Sequence, residues 1–512
     1  MSQWRRVAQS SDLNENTPLV IELDADEAVL LTRRNRKLSA IGNTCPHYGG
    51  PLGDGVFHHG HVVCPYHNAM FSLDGGTLER SPALDGPPVY DVKEENGSIF
   101  LGDRHDRSIA MPHGDDDRRV LIVGSGAAGS ACAETLRREG FAGWIVMVTA
   151  DEEAPYDRPM LSKGLISGDS PAKYLPLRPP SFYDSLGIEV VTGTRIDRLD
   201  PNELTVTTAD GKRMTADMVL LATGGVPRRL DLPGADLEGV YTLRSHRDAE
   251  AIIAACEDAS DAVVLGAGFI GMEVAAQLRQ RGLSVCVVDP VAEPLEPVLG
   301  PEMGAWMRSI HEEEGTTFRM KHKPELIAGE RGARQVRLDD GSTLPADLVV
   351  YGVGVDPRVD YLRDTGLIDG SLTRGVRVDQ RLSTAFAGLY AAGDIAVYPG
   401  LHDEHRVEHW VHAQEQGRHV ARAMLGSDEP YRRLPFFWTR QHGTTLKYYG
   451  FPGHHDSTRS DGSPGDGEFI TGYFRSNRLV AIAAYGRSEK LELLSAALER
   501  GETISPDDFV SA

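Results

Sequence analysis

Cysteine is scarce in this chain, five among 512 residues, too few and too scattered for a disulfide framework. No apolar run approaches the ~20 residues of a membrane-crossing helix, and the opening MSQWRRVAQSSDLNENTP has no apolar stretch behind its charges, so neither a span nor a secretory leader is expected. Basic charge is short as well. With 53 Lys and Arg against 75 Asp and Glu, the net charge of −22 would repel nucleic acid or an anionic membrane. The composition that remains, 40% hydrophobic and 25% charged, is that of a soluble cytoplasmic protein with room for three or four domains.

From about residue 17 to 102, short alternating apolar segments are separated by Gly, Pro and Asn turns, the pattern of a small all-β domain. Periodicity is then lost through DRHDRSIAMPHGDDDRR, which reads as a linker. Beyond it, RRVLIVGSG, AAGSACAETLRREG and WIVMVTA alternate strand with helix, the rhythm of a parallel sheet covered on both faces. DAVVLGAGF, IGMEVAAQLRQRG and LSVCVVD repeat that unit near residue 261, and a later apolar pair, DLVVYGVG and GLYAAGD, follows. The tail from Tyr431 mixes aromatic strands with a last helix, an α+β cap.

Cys45-Pro-His47 and Cys64-Pro-Tyr-His67 place one Cys and one His on each of two turns. Two thiolates and two neutral imidazoles suit an asymmetric [2Fe–2S] cluster, one iron to each kind of ligand. A structural zinc site is the alternative, although zinc-finger arms usually contribute like pairs. His58, His59 and His61 read as a solvated hairpin tip, and Cys132, Cys256 and Cys286, set in apolar patterns, as small core residues.

Gly124-x-Gly126-x-x-Gly129 follows an apolar strand and opens a helix, so its backbone can approach a pyrophosphate at the helix N-terminus. At the end of the next strand, Asp151 or Glu152 could accept a ribose hydroxyl, and the sequence leaves both open. Gly266-x-Gly268-x-x-Gly271 repeats the turn, with Asp289 ending its second strand and no Arg beside it for a 2′-phosphate, which favours NADH over NADPH. His402, His405, His409 and His412, spaced three, four and three, read as helical surface rather than as a metal cluster.

CPHYGGPL and CPYHNAMFSLDGG resemble the cluster loops of Rieske ferredoxins of the lower-potential type, with Cys45 and Cys64 on the inner iron and His47 and His67 on the outer. The two glycine fingerprints, together with Ala222-Thr223-Gly224 and Gly393-Asp394, resemble the flavoprotein disulfide-reductase superfamily. PYDRPMLSK, GFIGME, EHWVHAQEQG and PFFWT are similar to its ferredoxin-reductase branch, which serves dioxygenases and P450s and includes apoptosis-inducing factor and its Rieske-bearing relatives. That resemblance implies FAD at the first fingerprint and NADH at the second. It also implies Asp394 at the ribityl chain, Arg158 and Lys163 on the FAD, a Lys163–Glu273 pair at the flavin, and Trp410 and Trp438 beside the flavin or nicotinamide.

The expected architecture is multidomain: an all-β Rieske domain (1–105), a linker (106–118), and α/β Rossmann-like domains for FAD (119–247 and 373–430) and NAD (248–372), then an α+β C-terminal domain (431–512). No Cys-x₄-Cys follows the first fingerprint and no Cys lies in PYDRPMLSK, so thiol chemistry at the flavin is not expected. The expected function is transfer of electrons from NADH through FAD to the [2Fe–2S] cluster and on to an unidentified protein acceptor such as an oxygenase, ferredoxin or cytochrome. The alternative is an NADH-responsive, slowly turning over interaction flavoprotein like apoptosis-inducing factor, as monomer or homodimer. A Rieske oxygenase fits less well, since no further domain offers a two-His-one-carboxylate site.

Overall fold

The computed structural model describes residues 4–24, 27–330, 332–368, 374–400, 403–451 and 455–511. The chain forms two compact units: Met1–Ala110 with Ser488–Ala496, and Met111–Arg487 with Ala497–Ala512.

The first unit is all-β apart from short turns and the helical segment Ser488–Ala496. Its strands are β1 (Arg5–Gln9), β2 (Leu19–Asp24), β3 (Glu27–Arg34), β4 (Lys37–Gly42), β5 (Val56–His58), β6 (His61–Val63), β7 (Met70–Ser72), β8 (Leu78–Arg80), β9 (Val89–Glu95) and β10 (Ser98–His105). They make a six-stranded sheet ordered β1-β10-β9-β4-β3-β2 and a four-stranded one ordered β5-β6-β7-β8. Leu30, Ile41, Leu52, Val62, Phe71 and Ala83 close the core around Cys45 and Cys64. The turn between β5 and β6, with His59 and Gly60 at positive φ, is the hairpin tip the histidine run suggested.

In the second unit the duplication in the sequence becomes two five-stranded, all-parallel sheets. The first is ordered Ile188–Val191, Trp144–Val148, Arg119–Val123, Met218–Leu221, Leu389–Ala391. The second is ordered Val240–Thr242, Leu348–Tyr351, Asp261–Leu265, Ser284–Asp289, Thr317–Met320. Runs such as Val120 to Val123 and Ala262 to Leu265 are buried throughout, as strands covered on both faces must be. The apolar pair late in the sequence divides between the sheets: Leu348–Tyr351 joins the second, while Leu389–Ala391 returns to pair with Met218–Leu221 in the first. That return brings Gly393 and Asp394 to the end of the sheet where the first glycine turn lies.

Three helices position the site: α1 (Ala127–Arg138), α2 (Phe269–Gln280) and α3 (Trp410–Met424). The tail forms a five-stranded antiparallel sheet ordered Phe436–Gln441, Thr444–Gly450, Arg478–Tyr485, Phe469–Arg475, Ser457–Asp461. Among the described residues, no helix is long and apolar enough to cross a membrane.

Candidate functional site

Each glycine turn is built by steric necessity. A Cβ on Gly129 would stand 1.9 Å from the Gly124 carbonyl oxygen, and one on Gly271 2.0 Å from that of Gly266, so only glycine lets α1 and α2 close onto the turns before them. Gly126 differs, because a Cβ there would meet nothing within 4 Å; its backbone borders a cavity of about 940 Å³. That volume is at the upper end of the ~300–1,000 Å³ of small-molecule sites. α1 starts at Gly126 with no side-chain cap, leaving its first N–H groups to the cavity. Arg158, Lys163, Arg195, Arg244, Arg358 and Arg406 also line it, so glycine turn, helix terminus and cations together fit the pyrophosphate of a dinucleotide.

The predicted residues divide in an orderly way. Gly124, Gly126, Asp151, Arg158, Lys163, Ala222, Thr223, Gly224, Gly268, Glu273, Gly393, Asp394, Trp410 and Trp438 all border the cavity, whereas Gly129, Glu152, Gly266, Gly271 and Asp289 do not. Asp151 Oδ2 accepts from Arg158 Nη2 at 2.9 Å and from the Tyr156 hydroxyl at 3.2 Å. Glu152 instead lies against Gly193. Asp289 accepts from the backbone N–H of Ala267 at 2.7 Å and of Val291 at 3.0 Å, bracing the second glycine turn.

Lys163 Nζ is 2.9 Å from Glu273 Oε2, which also accepts from Ser162 Oγ at 2.5 Å. Glu273 projects from α2 and is 2% exposed. On the opposite wall Arg244 Nη2 holds Asp394 Oδ2 at 2.9 Å, and Arg406 donates to the Asp394 carbonyl at 2.9 Å. The Gly393 N–H donates to Gln416 Oε1 at 2.7 Å, and Gln416 in turn faces His412, so α3 fixes the turn that carries Asp394. Arg244, Arg406, Gln416 and Thr439 were not expected from the sequence; the capping box Ser245–Asp248 after Arg244 signals a helix start but not the ion pair.

The histidine run is not helical surface. α3 begins only at Trp410: His405 lies in the strand Glu404–His405, His409 borders the cavity stacked on Phe437, and His412 is 1% exposed; His402 lies outside the described residues. Burial, only partly offset by Asp394, pulls His409 down to about 4, and burial with neighbouring His409 pulls His412 down to about 3. Both rings are therefore neutral at neutral pH. Cys132 and Cys256 are core residues as expected, and Cys286, in the strand Ser284–Asp289 of the second sheet, is half-buried.

In the first unit the two Cys-Pro loops share one backbone design. Cys45 N–H donates to Gly50 O at 2.8 Å and Gly49 N–H to Cys45 O at 3.0 Å; Cys64 N–H donates to Ala69 O at 2.8 Å and Asn68 N–H to Cys64 O at 3.2 Å. Gly49 and Asn68 hold the same left-handed position, with φ of 72° and 59°. The loops bring the buried thiols of Cys45 and Cys64 into hydrogen-bond contact and set the Nδ1 atoms of His47 and His67 3.1 Å apart. Burial and the neighbouring His67 hold His47 well below its ordinary value, in the neutral form that ligates metal. A Cβ on Gly50 would come within 2.8 Å of Cys64 Sγ, so glycine there leaves space beside the sulfur. Like meets like, one thiol pair and one imidazole pair, which is the donor set of a two-iron cluster. Among the described residues, no three or more His, Cys, Asp or Glu converge as a site for one ion. Arg80 Nε donates to the Asn68 carbonyl at 3.0 Å while its two terminal nitrogens pair with the Glu492 oxygens at 2.9 Å each, tying the second loop down.

Residues 118–417 match the pyridine nucleotide-disulphide oxidoreductase family, residues 3–91 the Rieske [2Fe-2S] domain, and residues 436–512 the reductase C-terminal domain. The chain is similar to apoptosis-inducing factor 3 of Homo sapiens, at 33% identity over 97% of this chain and 84% of that one. It is also similar to the benzene 1,2-dioxygenase system ferredoxin–NAD(+) reductase subunit of Pseudomonas putida, at 33% identity over 76% and 94%. Among solved structures, a covalent putidaredoxin reductase–putidaredoxin complex superposes with a TM-score of 0.73, at 28% identity over 77% of this chain and 96% of that one.

Proposed function

We infer the activity from the premise that this chain belongs to the pyridine nucleotide-disulphide oxidoreductase family and carries a Rieske [2Fe-2S] domain and a reductase C-terminal domain on the same polypeptide. It is an FAD-dependent oxidoreductase of the ferredoxin–NAD reductase type, taking electrons from NADH and delivering them to a partner. Bound FAD supplies the exchange of an electron pair for single electrons, and a [2Fe–2S] centre carries one electron at a time.

The chain's own residues divide the remaining work. Gly124, Gly126 and the start of α1 would bind the FAD pyrophosphate, with Gly129 permitting the close packing. Asp151 is the residue we assign to the ribose, since it borders the cavity and Glu152 does not. Arg158 and Asp394, the latter held by Arg244, would orient the cofactor together with Ala222, Thr223 and Gly224. Gly268 would meet the NADH on a turn that Gly266, Gly271 and Asp289 shape, and Trp410 and Trp438 would wall off water. Lys163, held by Glu273, presents a positive charge to the cavity where negative charge develops on reduction. Cys45 and Cys64 would hold one iron and His47 and His67 the other.

The observation that carries this reading is the presence, in one polypeptide, of a cation-lined dinucleotide cavity and a paired thiol–imidazole loop set. We propose that electrons pass from the flavin to this chain's own cluster, and then to an oxygenase, ferredoxin or cytochrome in the cytoplasm. Anaerobic NADH should bleach the flavin and then bring up the EPR signal of a reduced Rieske centre. A cluster that stays oxidised, or zinc in place of iron and acid-labile sulfide, sinks the relay. A second reading, NADH-dependent association with slow turnover, is favoured by the similarity to apoptosis-inducing factor 3, which covers nearly the whole chain. An NADH-dependent shift in size-exclusion elution, with sluggish reduction of every acceptor, would select it.

A further inference from the structure

Glu273 accepts at both oxygens: Oε2 takes Ser162 and Lys163, and Oε1 takes the Thr439 hydroxyl at 2.7 Å. Thr439 has one hydroxyl proton. Once it is given to the carboxylate, Oγ1 can only accept, and the group facing it at 2.8 Å is the amide nitrogen of Gln441. The amide is thereby oriented, with Oε1 toward His311 Nε2 at 2.8 Å, so Nε2 must carry the ring proton. Nδ1, the other ring nitrogen, has no partner among the described residues, which suits a bare lone pair better than an orphaned N–H. Thr439 and Gln441 are 1% exposed and His311 0%, so water does not compete. Burial also lowers His311 to about 4, leaving a neutral ring with one proton to place.

We propose that Gln441 and His311 are positioning residues for the Lys163–Glu273 pair: a buried, one-directional hydrogen-bond chain, His311 to Gln441 to Thr439 to Glu273, pins the carboxylate so that Lys163 faces the cavity. The proposal rests on the reading of Lys163 and Glu273 as groups of the redox site. With the proton on Nδ1 every link would reverse; Thr439 would donate to Gln441 and Glu273 Oε1 would lose its donor. Whether Glu273 Oε1 has a donor and which nitrogen carries the proton of a ring three links away thus determine each other.

The test has two arms. In the FAD-loaded chain with ¹⁵N-labelled histidine, the His311 signals, assigned by their loss in His311→Asn, should report the Nε2–H tautomer; an Nδ1–H tautomer overturns the chain. In stopped flow, Thr439→Val should slow flavin reduction by NADH about tenfold while NADH affinity stays within about twofold, and Thr439→Ser should restore the rate. Thr439→Val as fast as the parent, or Thr439→Ser as slow as Thr439→Val, overturns the positioning role. If Thr439→Val does not fold, Gln441→Met replaces it and must show the same split between rate and affinity. A parent chain that does not reduce its flavin with NADH refutes the proposed function instead, and the tautomer arm then decides this inference alone.

Discussion

Lys163 and Glu273, 110 positions apart, meet at 2.9 Å with the carboxylate buried at 2% exposure and the ammonium turned to the cavity. The pair joins the turn Leu161–Leu165 to α2, so it is both a tie between two segments and a charge placed at the site.

Glu273→Ala would strand Lys163, Ser162 and Thr439 without their common acceptor. Loss of a partner from a buried ion pair costs about 3–5 kcal/mol. Thermal or urea unfolding should show that loss, and Lys163→Met, which strands the more buried Glu273 charge without its cation although Ser162 and Thr439 still donate to it, should also unfold more easily than the parent while reducing its flavin at least ~10-fold more slowly. Equal rates for Lys163→Met and the parent would remove Lys163 from the site.

The glycine turns separate binding from folding. Gly126→Ala meets no protein atom within 4 Å but intrudes on the cavity, whereas Gly129→Ala brings a Cβ within 1.9 Å of a backbone oxygen. Gly126→Ala should therefore keep its melting temperature as the FAD-free chain and bind FAD weakly; Gly129→Ala should lose both. Flavin fluorescence on release and scanning calorimetry would separate the two outcomes.

Cluster and flavin should be separable by mutation, because their residues belong to different compact units. Cys64→Ser should remove iron and sulfide while the flavin content stays that of the parent. Parallel loss of FAD, measured by absorbance after denaturation, would contradict this independence.

Glu492→Ala should weaken the first unit, since it takes from the buried Arg80 guanidinium the carboxylate that accepts from both of its terminal nitrogens. Arg80 also holds the Asn68 carbonyl, so the cluster should be lost faster on incubation with a chelator. An unchanged rate of iron loss would refute the anchoring role.

Acid should destabilise the chain before its carboxylates titrate. Burial depresses His311 and His409 to about 4 and His412 to about 3, against an ordinary value near 6.5. Above pH ~6.5 these rings are neutral folded or unfolded, and their contribution is complete. As the pH falls from there toward 4, the unfolded chain takes up protons the folded chain refuses, and each ring removes up to ~1.4 kcal/mol per pH unit. Urea unfolding at pH 7, 6 and 5 should show a falling midpoint, and His412→Gln should flatten the fall. A midpoint that does not change over that range rules the account out.

Both glycine fingerprints and both Cys-Pro loops were legible because each is a local solution, in which a strand, a tight turn and a helix or hairpin lie within a few residues. The histidine run misled for the opposite reason. Its spacing matches a helix, but α3 starts at Trp410, so His405 and His409 precede it and His412 faces inward. Nothing adjacent in sequence pairs Arg244 with Asp394, Gln416 with Gly393, or Thr439 with Glu273; those contacts exist because separate segments pack there.

The amino-acid sequence by itself determined the chemistry available: which residues can ligate iron, where a pyrophosphate can approach a backbone, and that PYDRPMLSK carries no Cys. Only the tertiary structure decided which carboxylate borders the cavity, which ring faces it, and how a tail strand reaches Glu273. The physical reason is range. Glycine sterics and ligand spacing act over a few residues, whereas the orientation of a buried charge is set by every donor that packing brings within about 3 Å of it.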